Sequence, residues 1–117
     1  MLEEEKKMKI SIDVLENYLL ERYGGWTNEQ GLFLKLVEEI GEVAEVINMR
    51  AGSKKAIDVD LQKELGTELA DMIHYIVAIA AINNINLTSV MLEKDKKASM
   101  KDNHDTNLET YISIHDN

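Results

Sequence analysis

The chain has 117 residues, no cysteine and no proline, 44% hydrophobic residues and a formal charge of −9. That length suits one domain with a modest core, and the missing cysteines exclude disulfides and thiolate metal sites. So acidic a chain repels nucleic-acid backbones, which argues against a polynucleotide partner; a single nucleotide stays open, because divalent cations reverse the local sign.

The N-terminus, "MLEEEKKMK", is charged and unlike a secretory signal. Together with the absence of cysteine it fits a cytoplasmic chain. Residues 8–22 place Ile12, Leu15, Leu19 and Leu20 at helical spacing and predict a first helix, ended by Gly24-Gly25. "TNEQ" follows as a capping box, Thr27 capping and Gln30 reaching back, and predicts a second helix over 27–50. After a polar connection, Asp58 or Asp60 can cap a third helix over 60–82, stopped by Asn83-Asn84.

The run "MIHYIVAIAAI", residues 72–82, is shorter than the roughly 20 residues a bilayer needs and predicts a buried helix, with no membrane partner. Asn86 or Thr88 can open a fourth helix over 87–101. The polar tail, 102–117, has a weak apolar patch and no assignable pattern. No strand pair or linker stands out. The expectation is a single all-α domain, a four-helix bundle with its helical core over 8–101.

On a helical wheel, Leu32, Leu36, Ile40, Val43 and Ile47 centre the apolar face of the second helix. Glu38 and Glu45 fall on the polar side and Glu42 toward the boundary, but Glu39 lies between Val43 and Val46. In the third helix Glu68 shares its face with Leu61, Met72 and Ile79, and Asp71 lies one turn along, on the side of Tyr75. A buried carboxylate without compensation is costly. Glu39-x-x-Glu42 and Glu68-x-x-Asp71 each set two carboxylates about one turn apart. Lys35 and Lys63 are the only bases nearby, so the spacing predicts four carboxylates converging on Mg²⁺ or Mn²⁺. Solvated boundary salt bridges are the plainer account of either pair alone.

"EEIGE" at 38–42 and "ELAD" at 68–71, flanked by "GWTNEQ", "LKLVEEIGEVAEVIN" and "ELGTELADMIHYIVAIA", resemble the signature of MazG-type nucleotide pyrophosphohydrolases. The resemblance implies an all-α fold, Mg²⁺ bound by Glu39, Glu42, Glu68 and Asp71, and cleavage of a nucleoside triphosphate to monophosphate and pyrophosphate. It further implies that Glu38 orients water beside Glu39, that Tyr75 and Trp26 line the base pocket, and that Lys35 or Lys94 meets phosphate. Structural roles compete for Tyr75 and Trp26, and a plain surface lysine for Lys94. Some relatives place an asparagine near Ala98 and a basic run after it, which this chain lacks.

Two rival readings remain at this level. Asp71-x-x-His74 has the spacing of carboxylate-histidine pairs in di-iron bundles. A non-catalytic helical adaptor would explain the charge but not the glutamates on apolar faces. Finally, the apolar face of the third helix exceeds what short neighbours cover, which predicts a homodimer or homotetramer.

Overall fold

A computed structural model describes residues 8–25, 28–52 and 60–115 of the chain. These residues form five helices: α1 (Ile12–Tyr23), α2 (Glu29–Gly52), α3 (Leu61–Ile82), α4 (Leu87–Lys101) and α5 (Leu108–His115). No strand occurs among the described residues. The chain divides into two compact units. One is Val14–Ile85; the other joins the residues up to Asp13 with those from Asn86 onward.

Local chemistry sets the ends of these helices. Residues 8–11 are not helical, so α1 starts four residues later than its apolar spacing predicts. Ser11 and Asp13, which suit a helix amino terminus, mark that start. Gly25 ends the turn after α1 at φ +85°, and a Cβ on Gly24 would collide with the Leu20 carbonyl. At α2 the cap is Asn28, one residue after the predicted Thr27: its Oδ1 accepts the Gly31 amide at 2.9 Å. Gly31 leaves room for that side chain, which an added Cβ would strike. Thr27 and Trp26 lie outside the described residues, as does Asp58.

Asp60 caps α3 by accepting the Lys63 amide at 3.1 Å, and Asn86 caps α4 by accepting that of Ser89 at 2.9 Å. The carboxyl ends of α3 and α4 share one motif. Asn84 and Asn103 take left-handed φ values of 57° and 58°. Ile85 then donates back to Ala80, and His104 to Ser99, each at 2.9 Å.

Within Val14–Ile85, α2 and α3 pack along each other. Leu19 of α1, Leu32 and Val46 of α2, and Val77, Ala78, Ala80 and Ala81 of α3 are buried. The covered stripe of α2 is Leu32, Leu36, Glu39, Val43 and Val46. Ile40 and Ile47, expected at the centre of the apolar face, are instead 47% and 50% exposed. The stripe is thus rotated by about one residue, and Glu39 moves from its margin onto its axis. On α3 the matching stripe runs Leu61, Leu65, Glu68, Met72, Tyr75, Ile79 and Ile82, all half-buried.

By length and composition α3 is apolar enough to cross a membrane, although its uninterrupted apolar run is short. Glu64, Glu68 and Asp71 lie within it, and charges in a bilayer are costly. In the second unit α4 packs on α5. Asp95 accepts the Leu108 amide at 2.6 Å and Asn107 that of Thr110 at 2.9 Å, which starts a helix in the tail where no pattern was assignable. The Thr88 hydroxyl donates to Asp13 at 2.6 Å.

Leu32→Ala removes a side chain that is 1% exposed and should cost about 2–5 kcal/mol in urea unfolding. Gly66→Ala adds a Cβ that meets nothing within 4 Å and should stabilise by about 0.5–1 kcal/mol. Opposite shifts in the two midpoints, with unchanged helical circular dichroism, are the expected result.

Candidate metal centre

The stripes of α2 and α3 are made of residues spaced alternately three and four apart, the pattern that lets two helices interlock side by side. Each stripe is apolar except at one place, Glu39 on α2 and Glu68 on α3. Glu42 stands one turn after Glu39, on the exposed side of the same edge. Oxygens from Glu39, Glu42 and Glu68 lie within 4.8 Å of one another. Among the described residues this is the group of acidic or histidine side chains that converges closely enough to hold one ion.

Two features make the cluster electrostatically incomplete as protein alone. Glu39 Oε1 and Glu68 Oε1 are buried and have no hydrogen-bond partner. In addition, the Glu68 carboxyl is pushed from 4.5 up to about 8. The Glu39 carboxyl, near enough to share a proton with it, contributes most, followed by Glu42 in the same way, desolvation and the two neighbouring charges. Three carboxylates this close keep a proton at neutral pH unless a cation takes its place. A set made only of carboxylate oxygens fits a hard divalent cation and fits a soft or imidazole-seeking metal poorly.

The remaining expected site residues fall around this centre. Asp71 is half-buried one turn after Glu68 but lies outside the 4.8 Å group. Glu38 is exposed, with its carboxylate 3.8 Å from the Lys35 ammonium, which is exposed as well. Such a pair contributes little and is easily exchanged. Tyr75 continues the Glu68 stripe two turns on and is half-buried. Lys94 is exposed on α4, in the other compact unit.

His74, the histidine of the di-iron alternative, does not join the acids. Its Nε2 is hydrogen-bonded to the Tyr23 hydroxyl at 2.8 Å. Nothing in the sequence pairs these residues, which are 51 positions apart. A cavity of about 250 Å³ lined by Glu29, Gln30, Phe33 and Ile79 opens beside the amino end of α2. Glu29 is about 15 Å along the helix axis from Glu39, so this hollow is separate from the acidic chemistry.

The sign of the Glu68 shift makes the site testable without a substrate. The folded chain keeps a proton that the unfolded chain releases above pH 4.5, so metal-free protein should lose stability as pH rises from 4.5 to about 8. Glu68→Gln should flatten this slope, measured as urea midpoints in EDTA. An equal slope in the variant would refute the shared proton.

No curated protein and no solved structure matches the chain. A family model does: that of the MazG nucleotide pyrophosphohydrolase domain, over residues 27–106. The match takes in both acidic helices and covers more than half of the chain, which therefore belongs to the MazG nucleotide pyrophosphohydrolase family.

Proposed function

We propose that the chain hydrolyses a nucleoside triphosphate, NTP or dNTP, to the monophosphate and pyrophosphate, using Mg²⁺, with Mn²⁺ as a substitute. The observation that carries this reading is the pair of buried, partnerless oxygens on Glu39 and Glu68, set on facing apolar stripes. Glu39, Glu42 and Glu68 hold the ion, and Asp71 adds a carboxylate one turn along α3. When bound, such an ion neutralises phosphate charge and lowers the pKa of an attacking water.

Glu38 and Glu39 act on that water, Glu38 from the solvent side, where it can orient the nucleophile and take its proton. Lys35, held to Glu38 only by an exposed contact, is able to turn toward a phosphate oxygen. Tyr75 stacks on the base, with Trp26 as a second aromatic wall. Direct attack by water requires no covalent nucleophile. A cytoplasmic role in clearing unwanted nucleotides or controlling the nucleotide pool agrees with this chemistry.

The partner most consistent with the surface is a second copy of the chain, as a homodimer or homotetramer. Beside its covered stripe α2 carries an exposed one, Phe33, Val37, Ile40 and Ile47, and α3 carries Leu69, Ile73 and Ile76. Rows of this size on two adjoining helices favour burial against another apolar face.

Pyrophosphate release from a panel of NTPs and dNTPs, with Mg²⁺ and with EDTA, tests the reaction. Loss of a residue that merely supports a metal ligand costs about 10–100-fold. Glu39→Gln and Glu68→Gln should therefore lower kcat/KM by more than about 100-fold while folding is retained, and Asp71→Asn should also impair turnover. A folded wild type silent on every nucleotide would refute the function. For assembly, Ile40→Glu should reduce the mass seen by light scattering, and an unchanged mass would place the contact elsewhere.

A further inference from the structure

Tyr23 is the last residue of α1, and its hydroxyl reaches across to His74 Nε2 at 2.8 Å in a half-buried contact. The two rings also meet edge to face, with centroids 5.7 Å apart at 81°. His74 then presents itself edge-on to Tyr75, at 5.0 Å and 78°. Neighbouring side chains on a helix diverge by about 100°, so rings that turn toward each other this closely restrict one another's rotamers. Burial, then the Arg22 charge, holds His74 below its ordinary value, against the opposite pull of Asp71. In the neutral ring Nε2 can complement the hydroxyl in either tautomer. The Arg22 guanidinium lies over the Tyr23 ring, 5.6 Å from its centroid.

We propose that Tyr23 and His74 are positioning residues that hold the Tyr75 ring in the rotamer that stacks on a nucleobase, so that base preference depends on a hydrogen bond between α1 and α3. This rests on the assignment of Tyr75 to the base given above. Neither residue touches substrate in this account. The hydroxyl fixes His74, His74 limits the swing of Tyr75, and a ring confined before binding gives up less entropy on stacking.

The test uses the full chain with Mg²⁺ and the α,β-imido analogues of the four common dNTPs, with affinities measured by calorimetry. Tyr23→Phe keeps the ring and removes only the hydroxyl; Tyr75→Leu and the double variant complete a cycle. Tyr23→Phe should weaken the best-bound analogue about 3–10-fold, the size of one lost hydrogen bond, and narrow the spread among bases. In turnover, KM should rise while kcat stays within about twofold. In the Tyr75→Leu background the same change should do nothing. His74→Phe, which also keeps a ring, should reproduce Tyr23→Phe.

Equal losses in both backgrounds, or unaltered affinity and base spread in Tyr23→Phe, would overturn the inference alone. A folded wild type that neither binds an analogue nor releases pyrophosphate would overturn the function reading first, and this inference with it.

Discussion

The structure turns on a conflict between packing and charge where α2 crosses the acidic part of α3. Apolar stripes bring the two helices together, and each stripe carries a glutamate at a position that packing would give to leucine. Hydrophobic association therefore forces Glu39 and Glu68 toward each other, against their charge. Either a proton or a cation must offset that repulsion. The protein alone supplies the first, which is why Glu68 holds its proton to about pH 8. In the proposed function, a cation that accompanies the nucleotide phosphates would supply the second. Helix packing thus leaves a charge conflict that a hard cation would relieve, and the same stripes that build the core bring the three carboxylates together.

A further consequence follows from the composition of those helices. Both α2 and α3 are apolar over more of their circumference than one neighbour can cover. Leu32, Val46 and Val77 are sealed, while Phe33, Ile40 and Ile73 remain about half exposed. Helices with one stripe used and one to spare suit an assembly in which a second layer packs on the first. Only one side chain of α1, Leu19, is fully buried, so the hydrogen bond from Tyr23 carries unusual weight in locating its carboxyl end. That bond ends one residue from Tyr75, whose ring meets His74 edge to face.

Much of this was legible from residues in order. Helical spacing in α2, α3 and α4, caps narrowed to Asp58 or Asp60 and to Asn86 or Thr88, and the stop at Asn83-Asn84 could all be read locally, because each depends on neighbours within one or two turns. Glu39 stood out for the same reason. The wheel erred by about one position, centring the face on Ile40 and Ile47, since a helix with apolar residues on two adjoining stripes does not say which stripe its partner will take. The tail shows the other limit. An eight-residue helix is marginal alone, and α5 gains a cap from Asp95, thirteen positions away.

By itself, then, the sequence determined α1 to α4 to within about four residues at their ends, the family, and which four acids stand one turn apart in pairs, since all of these are written in short-range periodicity and residue type. Only the tertiary structure decided which of those acids share one point in space. Glu39, Glu42 and Glu68 do so within 4.8 Å, and Asp71 stands outside them. It also decided what His74 does. The choice between metal ligand and structural anchor depends on a hydroxyl 51 residues distant, and no pattern along the chain encodes a distance between side chains that far apart.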